Sequence, residues 1–63
     1  MKITLAAARV NVKMTQEEVA KKIGKTRQTI NKWEKGKNKI DKANFEALCS
    51  LYKLEIDDIS LPY

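Results

Sequence analysis

Nine of the thirteen Lys and Arg residues lie between Lys21 and Lys42, where only Glu34 and Asp41 oppose them. That stretch carries net +7, against +1 before it and −3 after it, within a total of +5. The cations Lys21, Lys22, Lys25, Arg27, Lys32, Lys35, Lys37, Lys39 and Lys42 are interleaved with Gln28, Thr29, Asn31 and Asn38. Clustered positive charge attracts polyanions, nucleic acid phosphates first among them. The amide and hydroxyl side chains between the cations can hydrogen-bond to base edges. A lysine-rich surface kept for solubility would give the same charge count, so charge alone leaves both readings open. An anionic membrane is the third partner of that chemistry. It asks for an amphipathic helix with a broad apolar face and basic flanks, and this polar interleaving does not supply one.

The remaining composition narrows the classes further. A chain of 63 residues that is 43% hydrophobic and 33% charged has the make-up of one small folded domain. A chain of that size buries only about 60% of the surface its unfolded form exposes, too little to enclose a large substrate. There is one cysteine, Cys49, and no histidine. No intramolecular disulfide and none of the usual zinc-ligand sets can form. A core held by packing alone fits a reducing cytoplasm. Neither a bilayer-crossing apolar run nor a secretory leader is expected. With no histidine, no phosphate-binding glycine loop and no enclosed carboxylate pair, catalysis is not expected either. The expectation is no enzyme, no metal, no cofactor and no small-molecule ligand.

The elements that must position the basic stretch read as five short helices, with no strand, no repeat and no linker. The first is predicted over Ile3 to Val10, with Leu5, Ala8 and Val12 at helical spacing. Thr15-Gln16-Glu17-Glu18 has the form of a capping box that opens the second. Val19, Ala20 and Ile23 give it an apolar face, and Gly24 ends it as a left-handed cap. Thr26 is a good N-cap for the third helix. Ile30 and Trp33 share one side of it, Arg27, Gln28, Asn31, Lys32 and Lys35 occupy the other, and Gly36 stops it. Asp41 caps the fourth helix, with Ile40 and Phe45 at hydrophobic-staple spacing. Phe45, Leu48, Cys49 and Tyr52 follow the helical template. A last helix is predicted around Ile56 to Ile59, favoured by Asp57 and Asp58 in its first turn, and Pro62 closes regular structure.

Only Gly24 and Lys25, with Thr26 as cap, separate the second helix from the third. So short a connection forces a steep crossing, and the small side chain of Ala20 lets the two backbones come close. The result is a helix-turn-helix, whose second helix suits the roughly 12 Å major groove of B-form DNA.

The stretch Thr15 to Lys37, TQEEVAKKIGKTRQTINKWEKGK, resembles the phage Cro/CI repressor type of helix-turn-helix, the XRE family. Leu5 and Arg9 upstream, and Asn44, Leu48, Cys49, Leu51 and Tyr52 downstream, extend the match over almost the whole chain. The resemblance implies an all-α fold: a compact five-helix lambda-repressor-like domain over residues 1–63, with its helix-turn-helix formed by helices 2 and 3. It implies a sequence-specific transcription regulator, cytoplasmic and of bacterial, archaeal or phage origin, that binds double-stranded DNA. The regulator would be a homodimer, formed in solution or only on DNA, and the recognition helix would run from Thr26 to Lys35.

Residue by residue, Arg27, Gln28 and Lys32 match base readers. Gln16 matches a phosphate contact at the start of helix 2, and Thr29 and Asn31 match accessory contacts beside the readers. Lys35, Lys37, Asn38, Lys39 and Lys42 match backbone-contacting positions. Arg9 and Glu34 match a structural ion pair that ties helix 1 to helix 3. Lys13 and Lys53 stand where the family often has glycine, so either each lysine adopts a left-handed conformation or the turns differ. Ile40 stands where the loop often has proline.

Several residues admit two readings. Trp33 suits core burial better than base stacking, and Cys49 suits an inert core position better than a redox switch. Asp57 and Asp58 suit helix capping better than metal binding. Leu51, Leu54, Ile56, Ile59, Leu61 and Tyr63 either close the core or form a dimer interface. The competing function is an antitoxin-type interaction module that also binds DNA, although the segment most such modules use to cover a toxin is not visible.

Overall fold

The computed structural model describes residues 2–62. The elements in chain order are β1 (Ile3–Thr4), α1 (Leu5–Asn11), α2 (Gln16–Ile23), α3 (Arg27–Lys35), α4 (Lys42–Tyr52), a 3-10 turn (Ile56–Asp58) and β2 (Ile59–Ser60). Among the described residues the fold has four α-helices where the sequence predicts five.

The first helix starts at Leu5 rather than Ile3, because Thr4 is its N-cap and its hydroxyl accepts from the Ala7 N–H at 3.1 Å. The expected fifth helix is a single 3-10 turn. Asp58 does reach back there, accepting from the Glu55 N–H at 2.9 Å. Ile59 then turns extended and becomes buried, pairing parallel with Ile3 while Ser60 pairs with Thr4. A β-branched residue that must both fill the core and complete a ladder favours the extended backbone. This two-residue ladder is also the strand content that the helical reading omitted.

The helices bury the faces that their patterns assign. Leu5 and Ala8 of α1, Val19 and Ala20 of α2, Ile30 and Trp33 of α3, and Phe45, Leu48, Cys49 and Tyr52 of α4 meet in one core, which Ile40 and Ile59 complete. Trp33 and Cys49 are therefore core residues. Burial pushes the Cys49 thiol above its ordinary value, and Asp58, Glu46 and Glu55 push it the same way, which disfavours the reactive thiolate. Of the C-terminal apolar residues, Ile59 is buried and Leu51, Leu54 and Leu61 pack partly against the core. Ile56 stays exposed, and Tyr63 lies outside the described residues.

Every α-helix is followed by a residue in the left-handed region: Lys13 (φ 59°), Gly24 (φ 72°), Gly36 (φ 75°) and Lys53 (φ 60°). Of the two possibilities for the lysines, the left-handed one holds at both positions. After α4 the Leu54 N–H bonds the Cys49 carbonyl at 2.9 Å, closing the terminal turn. A Cβ on Gly36 would lie 3.0 Å from Pro62, because the C-terminal segment crosses the end of α3 there. A Cβ on Gly24 would meet nothing within 4 Å.

Two stability outcomes follow. A left-handed residue with a Cβ costs about 1–2 kcal/mol, and glycine returns part of that as chain entropy. Lys53→Gly should therefore raise unfolding free energy by about 0.5–1 kcal/mol in urea titration. A loss would show that the lysine side chain contributes more than its backbone costs.

Tyr52 is buried and its hydroxyl has no partner among the described residues. Burial, reinforced by Glu34 and partly opposed by Arg9, pushes its phenol up to about 12. The raised value means the folded state favours the protonated phenol. Its stability contribution is complete below the unfolded value near 10 and is lost as pH rises toward about 12. Tyr52→Phe should leave stability at neutral pH unchanged or higher, and should remove roughly 2–3 kcal/mol of alkaline loss across that window. An unchanged alkaline profile would contradict this.

Candidate nucleic-acid interface

The geometry of α3 begins at its N-cap. The Thr26 hydroxyl accepts from the Thr29 N–H at 3.3 Å and shares a 2.9 Å hydrogen bond with the Thr29 hydroxyl. At about 100° per residue, burying Ile30 and Trp33 turns Arg27, Gln28, Asn31, Lys32 and Lys35 to the opposite side. Arg27, Gln28, Lys32 and Lys35 are exposed there, and none of their side chains has a partner among the described residues. Asn31 and Thr29 are half-buried at the margins.

The turn that presents α3 is short because Gly24 takes a left-handed conformation, and the Lys25 N–H then bonds the Ala20 carbonyl at 2.8 Å. Ala20 is almost fully buried, which gives the two helices their close approach. At the start of α2 the Thr15 hydroxyl accepts from the Glu18 N–H at 3.1 Å, and the Glu18 carboxylate accepts from the Thr15 N–H at 2.8 Å. These bonds, the main-chain one foremost, hold the Glu18 carboxyl below its usual value. The main-chain N–H groups of Gln16 and Glu17 keep no partner among the described residues. After α3, Lys37, Asn38 and Lys39 lie exposed in the loop and Lys42 is exposed at the first residue of α4.

Arg9 and Glu34 form an ion pair, Nε to Oε2, at 2.8 Å, with side chains 16% and 7% exposed. The Arg9 Nη1 group also donates to the Met14 carbonyl at 2.8 Å, so one guanidinium ties α1, the turn before α2 and α3 together. Gln16 is built into the same cluster. Its Nε2 donates to Glu34 Oε1 at 2.9 Å and to Asn31 Oδ1 at 3.3 Å. Sequence reasoning missed this link. Asn31 and Glu34 share a helix side at i, i+3 spacing, but nothing in the sequence said that Gln16 would reach them from another helix.

Among the described residues, no group of His, Cys, Asp or Glu could hold a metal ion, and no helix is long and apolar enough to cross a membrane.

Removing Arg9 would leave the Glu34 carboxylate nearly buried without its cation. Breaking such a pair from one side typically costs about 3–5 kcal/mol when fully buried. With partial exposure, Arg9→Ala should lose roughly 2–3 kcal/mol of unfolding free energy. An unchanged melting temperature would contradict the structural role of the pair.

Comparison with known proteins agrees with this geometry. No match was found among curated proteins or among solved structures. A family model described as helix-turn-helix matches residues 5–59, which takes in all four α-helices and the turn between α2 and α3. The chain belongs to the XRE family of helix-turn-helix DNA-binding regulators.

Proposed function

We propose that this chain is a sequence-specific transcription regulator, Cro-like or repressor-like, that lays α3 in the major groove of a near-palindromic operator and binds as a homodimer. The observation that carries the reading is the free outward side of α3. Arg27, Gln28 and Lys32 stand exposed and unpaired among the described residues, while Ile30 and Trp33 anchor the opposite side. Arginine bonds guanine O6 and N7 in bidentate fashion, and glutamine does the same with adenine N6 and N7. Each good pair contributes about 1–3 kcal/mol of discrimination.

Around these readers the other residues hold the duplex. The unpaired main-chain N–H of Gln16 at the start of α2 suits a phosphate. Lys35, Lys37, Asn38, Lys39 and Lys42 supply sequence-independent attraction through counterion release, with Lys42 toward the minor groove. Thr29 and Asn31 are accessory contacts. Two copies related by a two-fold axis would place their recognition helices in major grooves roughly 34 Å apart. The whole chain acts as one DNA-binding domain, and its place of action is the cytoplasm.

Selection of bound sequences from a random duplex pool tests this directly. It should return a two-fold repeat at that spacing. Gln28→Ala should weaken binding to the selected duplex by about 10–100-fold and leave random duplex nearly unaffected. Equal losses on both would remove Gln28 from the base readers. Lys39→Ala should weaken both and lower the slope of log affinity against log salt by about one. An unchanged slope would remove it from the phosphate contacts.

A further inference from the structure

The cluster behind α3 has a direction. The Glu34 carboxylate, paired with Arg9, is an acceptor. The Gln16 amide against it must therefore present its nitrogen, as it does at 2.9 Å. That nitrogen carries two N–H groups, and the second points at Asn31. Asn31 then presents its oxygen inward, at 3.3 Å. Turning either amide over would oppose donor to donor at Asn31, or acceptor to carboxylate at Glu34, and forfeit the bond. The Asn31 NH2 group is left without a partner among the described residues. Asn31 itself lies half-buried at the margin of the outward side of α3, one helical turn beyond Arg27 and next to Lys32.

We infer that the series Arg9–Glu34–Gln16–Asn31 fixes Asn31 as a donor-only contact to DNA. An unconstrained asparagine pairs with adenine through one donor and one acceptor. With its oxygen turned toward Gln16 and only its NH2 group left to meet a duplex, Asn31 gives up that pairing and addresses acceptors alone. These are a phosphate oxygen, or the base-edge acceptors of guanine, thymine O4 and adenine N7. Gln16 is then a positioning residue through its side chain, in addition to any phosphate contact its main chain makes. This inference rests on the groove-binding reading of α3 and deepens it.

The test is the side-chain amide 1H–15N spectrum of the full chain, free, with the selected duplex, and with random duplex of equal length. In the free protein the Gln16 NH2 protons should exchange with water several-fold more slowly than those of Asn31. On saturation with duplex the Asn31 NH2 signals should shift while those of Gln16 stay. A shift on the selected duplex alone assigns a base acceptor, and an equal shift on both assigns a phosphate. Asn31→Ala should lose about tenfold in affinity on the same duplexes. If the α3 main-chain signals move and the Asn31 NH2 does not, the inference is overturned and groove binding stands. Gln16 protons that exchange as fast as those of Asn31 would overturn it as well. If no signal moves with either duplex, the groove reading fails and takes this inference with it.

Discussion

The burial of Ile30 and Trp33 sets the rotation of α3 about its own axis, and the rest of the molecule is arranged around that rotation. Both side chains sit in the core with Leu48, Tyr52 and Val19. At the helical step, their positions leave one continuous side from Arg27 through Lys32 to Lys35, exposed at Arg27, Gln28, Lys32 and Lys35 and bordered by Asn31, which Gln16 partly covers. A rotation of one residue would move Lys32 toward the core, where an unpaired ammonium is too costly. The apolar anchor thus decides which polar side chains face outward. The short turn at Gly24 and the small Ala20 decide how closely α3 is held to α2.

Electrostatic anchoring complements the apolar anchor. Arg9 reaches from α1 to Glu34 and to the Met14 carbonyl, fixing the entry to α2 against α3. Gln16 and Asn31 extend that cluster toward the surface. A fully buried ion pair gives little net stability, but this one holds three segments in register at the margin of the exposed side. The same cluster touches Tyr52 electrostatically: beside the burial that dominates, Glu34 makes its phenol harder to ionise and Arg9 makes it easier.

Much of this was legible in the sequence, because helix boundaries are written by local chemistry. The caps Thr15 and Thr26 and the stops Gly24 and Gly36 stand where the spacing put them. The apolar positions of α2, α3 and α4 told which sides face inward, since burial follows the helical period. The terminal ladder was not legible. Two residues of parallel pairing between Ile3–Thr4 and Ile59–Ser60 depend on bringing distant ends together, and two-residue segments carry no periodicity to read. For the same reason the local pattern assigns Ile59 to the end of a helix, whereas it is extended and paired with Ile3. Asp41 stands at the N-cap position that the sequence predicts for α4, but its carboxylate accepts from the Asn44 side chain and caps no main-chain N–H. Of the interface, the residue types and their side of α3 could be read. The bond from Gln16 to Glu34 and Asn31 could not, because it joins two helices through a contact that only their packing creates.

The claim that the exposed side of α3 enters the major groove is tested most directly by methylation interference on a duplex selected by the protein. Methyl groups on guanine N7 lie in the major groove, and those on adenine N3 lie in the minor groove. The account predicts that N7 methylation within each half-site blocks binding while N3 methylation beneath α3 does not. Interference confined to adenine N3, with N7 methylation tolerated throughout, would contradict it.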